Sequence, residues 1–120
     1  MNPEIPAITG ATKLTSLLGQ WPSFHDAEII RVLIRRDGHS TITIRLMEPQ
    51  GQGFAVTFTF EQILDLRLDG EDVNRQNLIR SLSIEPSGTA TKVTFGPRYG
   101  LWGAITAEHV GVRVAEEFEI

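Results

Sequence analysis

Apolar residues fall on every second position through most of this chain, and that period of two is the feature that most restricts its fold. Ile30, Val32 and Ile34 alternate with Arg31, Leu33 and Arg35; Ile42, Ile44 and Leu46 alternate with Thr41, Thr43 and Arg45. Phe54, Val56, Phe58 and Phe60 alternate with Ala55, Thr57 and Thr59. The pattern resumes at Leu64, Leu66 and Leu68, at Leu82 and Ile84, at Val93 and Phe95, and at Val110, Val112 and Val114, with a shorter candidate at Ala104 to Ala107. Successive side chains of an extended chain point to opposite faces, so alternation rich in β-branched and aromatic residues predicts half-buried strands. The inward positions Val32, Ile44, Val56, Phe58, Leu66, Ile84, Phe95 and Val112 are expected to be buried. Arg31, Thr43, Thr57, Arg67 and Arg113 are expected to be more exposed.

The breaks between strands are short. Asp37-Gly38, Pro49 to Gly53, Asp69-Gly70 and Pro86-Ser87-Gly88 carry turn chemistry. Strands joined this closely cannot be parallel neighbours, because a parallel crossover needs about a dozen residues. The expected fold is mainly β (α+β): an antiparallel meander of about seven or eight strands, forming a sandwich or curled sheet, with one short N-terminal helix. Leu14, Leu17 and Leu18 supply that helix with an apolar face, Thr9 or Thr12 is a candidate N-cap, and Gly19 marks its end. At about two turns it needs its leucines docked on the sheet. The segment Gly70 to Leu78 reads as a loop with one possible helical turn. Residues 1–120 are the size of a single domain.

Composition removes several classes of function. There is no cysteine, hence no disulfide and no thiolate metal site. The net charge is −4, with eleven basic residues scattered among fifteen acidic ones, which argues against nucleic acid as a partner. Arg31, Arg35 and Arg36 form the nearest basic cluster and read as a solvated face. No apolar run approaches the roughly 20 residues a membrane helix needs, and Pro3 and Pro6 interrupt any leader-like start. The expectation is a cytoplasmic protein with no membrane partner.

Three segments are candidates for function. In Trp21-Pro22-Ser23-Phe24-His25-Asp26-Ala27-Glu28, the residues His25, Asp26 and Glu28 have the chemistry of a metal or acid–base site. A His and an Asp adjacent on an extended chain point apart, however, and zinc needs three or four ligands. The plainer reading is that Trp21 and Phe24 anchor the chain where it joins the sheet, while His25 or Asp26 ties the turn through backbone hydrogen bonds. Asp65, Asp69, Glu71 and Asp72 form an acidic rim. The run from Asp65 fails as a calcium loop, because Arg67 takes the third position and Gln76 stands at the twelfth, where a bidentate Glu is needed. The run Phe95-Gly96-Pro97-Arg98-Tyr99-Gly100-Leu101-Trp102-Gly103 is either a plug at the sheet's end or a binding loop, since Arg, Tyr and Trp dominate protein-binding hot spots. His39 and His109 show no ligand spacing, and no Gly-x-Ser-x-Gly elbow exists. The expectation is a protein that is not an enzyme and holds no metal or cofactor.

Trp21-Pro22-Ser23-Phe24-His25-Asp26-Ala27-Glu28-Ile29, the strand after it and the late Pro97-Arg98-Tyr99-Gly100 resemble the Immunity protein 50 family, over roughly Leu17 to Val114. These are small bacterial proteins predicted to neutralise toxins delivered between competing cells. The resemblance implies function by binding: the chain would cover a cognate toxin protein and block its active site. The partner-binding candidates are Trp21, Phe24, His25, Asp26, Asp69, Glu71, Asp72, Arg98, Tyr99 and Trp102. The alternative is a small-molecule-binding or scaffold β domain without catalysis, with a mouth near Trp21, His25, Tyr99 and Trp102.

Overall fold

The fold is given by a computed structural model, which describes residues 6–35, 38–47, 53–70 and 78–117, with side chains at all of these but 97–99 and 116–117. Helix α1 (Ala11–Leu18) is followed by strands β1 (Glu28–Leu33), β2 (Ser40–Met47), β3 (Gly53–Gly70), β4 (Leu78–Ser87), β5 (Ala90–Tyr99) and β6 (Leu101–Glu117). The strands close into an antiparallel barrel in the order β1-β2-β3-β6-β5-β4. The expected β class and single short helix hold; the strand count is six.

The count drops because two pairs of expected strands are each continuous. Phe54 to Phe60 and Leu64 to Leu68 both belong to β3, while Ala104 to Ala107 and Val110 to Val114 both belong to β6. β3 does not end at its break because Gln62 takes a left-handed conformation (φ 55°) and the register shifts between Ile63 and Asp65. In β6 the buried set passes from Gly103, Ile105 and Ala107 to Val110 and Val112 across the exposed Glu108 and His109. Each long strand therefore runs past the end of one of its neighbours within the single closed sheet. β2 pairs with β3 only as far as Ser40↔Phe60, and β5 pairs with β6 only from Phe95↔Gly103 to Thr91↔Ala107.

The meander is also interrupted. β1-β2-β3 and β4-β5-β6 each run neighbour to neighbour, but β3 pairs with β6 rather than with β4, from Gly53↔Glu117 to Gly70↔Leu101. The loop from Glu71 to Asn77, with its expected helical turn, lies outside the described residues, as do Asp37 and residues 48–52 of the second hairpin.

Ile44, Val56, Phe58, Phe95 and Val112 are buried as expected, and Ile84 is half-buried. Val32 and Leu66 depart from expectation, at 37% and 38% exposure. Both face inward, opposite the buried Ile42 and Ile105, but each lies on a stretch of strand paired along one edge only among the described residues. In β1 a bulge between Ile29 and Arg31 puts Ile29 into the core and leaves Ile30 at 45% exposure. Thr57, expected on the exposed face, is buried. It sits centrally in the row Arg31–Thr43–Thr57–Arg113, and its hydroxyl is 3.2 Å from that of Thr43.

Helix α1 buries Ala11 and Leu14 and half-buries Leu18, leaving Leu17 exposed. It ends at Gly19 in the left-handed conformation, but its N-cap is Gly10 (φ 90°), without a side-chain cap. A threonine cannot replace that glycine. A Cβ at Gly10 would lie 1.9 Å from the Val112 carbonyl oxygen, because the Thr9 carbonyl accepts the Val112 N–H at 2.8 Å and holds the helix start against β6.

Candidate functional site

The barrel closes at the segment that stood out in the sequence. Phe24 to Ala27 form a turn in which the Ala27 N–H donates to the Phe24 carbonyl at 3.1 Å, with Asp26 left-handed (φ 65°) at its third position. An aspartate tolerates this conformation better than most residues, which is why a turn forms here without glycine. The turn aims two main-chain groups at β4: the Asp26 N–H donates to the Ile79 carbonyl, and the Ile79 N–H donates to the Ala27 carbonyl, both at 2.9 Å. His25 Nδ1 lies 2.9 Å from the Arg80 carbonyl, an acceptor, so this nitrogen carries the hydrogen. Beside these contacts, β1 and β4 share one register pair, Glu28↔Leu78.

Phe24 is itself left-handed (φ 61°), a conformation costing about 1–2 kcal/mol. Its ring is buried against Phe58 (centroids 5.8 Å apart) and meets Trp21 edge-on at 5.7 Å. Burying a phenylalanine returns about 1.5–3 kcal/mol, so packing sustains the backbone strain. The plainer reading of the sequence segment is thus the one the geometry realises: Trp21 and Phe24 anchor, while His25 and Asp26 tie. The turn also brings His25 Nε2 to 3.7 Å from Asp26 Oδ2, where an extended chain would have separated them. Both side chains are more than half exposed.

The other candidates gather at the same end of the barrel. Tyr99 pairs with Leu78, which pairs with Glu28, so the backbone of the aromatic loop runs two strands from the Trp21–Asp26 turn. Gly100 alone separates β5 from β6, and beyond it Leu101 pairs with Gly70 and Trp102 with Asp69. Trp102 and Asp69 consequently share the outer face, and Trp102 is 44% exposed. The acidic rim and the aromatic loop, read from sequence as separate surfaces, meet at this pair. Glu71 and Asp72 lie outside the described residues, as do the side chains of Arg98 and Tyr99; Gly70 and Leu78, which bound the former stretch, pair with Leu101 and Tyr99.

An open groove of about 600 Å³ runs along β4, floored by Ile8, Trp21, Leu82, Ile84 and Pro86, with Glu85 and Thr91 as its polar groups. Of the residues expected to form a ligand mouth, Trp21 lines it and His25 and Trp102 do not, while the Tyr99 side chain lies outside what the structure describes. Sequence spacing gave no hint of a second polar feature. His39 Nδ1 lies 3.0 Å from Glu61 Oε1, and His109 stands directly across from Glu61 on β6, so strand register assembles what linear spacing scattered. No group of three or more His, Asp and Glu among the described residues is arranged to hold a metal ion. No helix among them is long and apolar enough to cross a membrane.

Comparison of the chain with protein-family models, with curated proteins and with solved structures gives no match.

Proposed function

We propose that the chain is an immunity protein that binds a cognate bacterial toxin in the cytoplasm and neutralises it by occlusion, without catalysis. The observation that carries this reading is the convergence of recognition groups at one end of the barrel: the Trp21–Asp26 turn, the Tyr99–Trp102 connection and Asp69. An exposed tryptophan beside a carboxylate is a pairing suited to anchoring on a basic protein surface. The resemblance to Immunity protein 50 supplies the class of partner. A toxin that acts on nucleic acid carries a basic cleft, and Asp69 with Glu71 and Asp72 would occupy it in place of phosphates. The test is co-expression with the toxin candidate encoded beside this gene. Rescue of growth should weaken when Asp69 becomes Lys or Trp102 becomes Ala while the variants stay folded. Absence of toxicity from the neighbour, or of any rescue, would sink the reading.

The groove beside Trp21 favours one alternative, a non-catalytic domain that binds a small apolar ligand. A ligand seated there would change Trp21 fluorescence, and the change would disappear in Trp21→Phe.

A further inference from the structure

We propose that the chain self-associates through the open edge of β3, two copies pairing antiparallel about a two-fold axis at Leu66. From Ile63 to Gly70, β3 is bonded to β6 on one side and has no strand partner on the other among the described residues. Such an edge presents unpaired main-chain donors and acceptors and is a template for another strand. Two of its apolar side chains are open to solvent, Leu64 at 60% and Leu66 at 38% exposure. Asp65 and Arg67 are both exposed, and neither has an ion-pair partner among the described residues.

The order of these residues specifies a second copy of this chain as the occupant. With the axis at Leu66, Asp65 faces the partner's Arg67, Arg67 faces the partner's Asp65, and Leu64 faces the partner's Leu68. Both unpaired charges then find opposite charges, and the leucines form one stripe. Moving the axis to Arg67 sets Arg67 against itself and Asp65 against the partner's Asp69. An axis at Leu68 also gives opposite-charge pairs, Arg67 with the partner's Asp69, but it sets Leu66 against the partner's Gly70 and leaves Asp65 without an opposite charge among the described residues. Charge pairing of both Asp65 and Arg67 together with the leucine stripe therefore favours the axis at Leu66, and the two-fold makes the contact self-limiting at a dimer. A single pair of short strand edges falls below the roughly 1,200–2,000 Å² of a stable interface, so the dimer exchanges with monomer and depends on concentration.

This inference is independent of the toxin reading, and its test needs no toxin. Sedimentation velocity over a concentration series should show the wild-type chain moving from 13.3 kDa toward twice that mass. Asp65→Arg or Arg67→Asp alone should abolish the rise by opposing like charges, and the double exchange should restore it. Asp69→Arg should leave it unchanged. Hydrogen exchange on the wild-type chain supplies a measurement that needs no variant: protection of amides 64–68 should increase with protein concentration. A wild-type chain that stays monomeric throughout, single inversions that behave as wild type, or a double exchange that fails to restore association would each overturn the proposal. So would association with unchanged protection at 64–68, which would place the contact elsewhere.

Discussion

Asp26 and Ile79 are joined by one main-chain hydrogen bond of 2.9 Å, and that bond is one of two that the turn before β1 makes to β4 at the seam where the barrel closes. Asp26 holds a left-handed backbone (φ 65°) in the turn that aims this N–H at β4. Asp26→Pro fixes φ at about −65° and removes the donor, so it should destabilise the fold by about 3 kcal/mol or more. Chemical denaturation measures the loss, and in the wild-type chain hydrogen exchange at the Ile79 amide should report opening of the seam below the global unfolding energy.

Phe24→Ala should cost about 3–5 kcal/mol, since it empties the space against Phe58 and leaves the backbone strain without compensation. The two tryptophans should separate in the same assay. Trp21 is half-buried and packs on Phe24, so Trp21→Ala should destabilise measurably, whereas Trp102→Ala, on an exposed outer face, should stay within about 0.5–1 kcal/mol of wild type. A large stability loss for Trp102→Ala would remove it as a clean probe of partner binding.

Gly103, at the end of the aromatic segment, has no room for a side chain. It has φ 146°, and a Cβ there would lie 1.8 Å from the carbonyl oxygen of Arg67 on β3. Gly103→Ala should push β6 off β3 and lower stability by roughly 2–4 kcal/mol, read as a fall in the denaturation midpoint.

Ser40 is fully buried at the start of β2, where its hydroxyl accepts the Arg35 N–H at 2.9 Å and lies 3.4 Å from the Arg35 carbonyl oxygen. Ser40→Ala removes this part-buried hydrogen bond and should cost about 0.5–1.5 kcal/mol by denaturant titration. Ser40→Thr keeps the hydroxyl and should recover part of that loss.

What could be read from the sequence divides along a physical line. Alternation is a local signal, so strand existence and most inward positions were legible, including Ile44, Phe58 and Phe95. The anchoring of Phe24 and the tying role of His25 and Asp26 were legible too, because turn chemistry acts over a few residues. Ile30, read in one apolar set with Val32 and Ile34, is exposed while Ile29 is buried, because a bulge reverses the side-chain parity of a strand without altering its composition. The continuity of β3 was hidden because Gln62, an ordinary residue, occupies a conformation usually left to glycine. Long-range pairing left no local trace at all. Nothing near Glu61 announces His109, and nothing near Asp69 announces Trp102, although each pair is directly opposed.

The full-length pairing of β3 with β6 also sets the order in which the chain can be assembled. Each three-stranded half is built from contacts between near neighbours in sequence, whereas Gly53↔Glu117 joins residues more than half the chain apart. Closing so long a loop costs entropy before any contact rewards it, so the two halves can form early while their union waits. The barrel should therefore be a slow folder for its size. Its rate-limiting step should respond to changes at the β3–β6 rows, such as Phe58 with Val112, and be insensitive to the turn at Gly88 and Thr89.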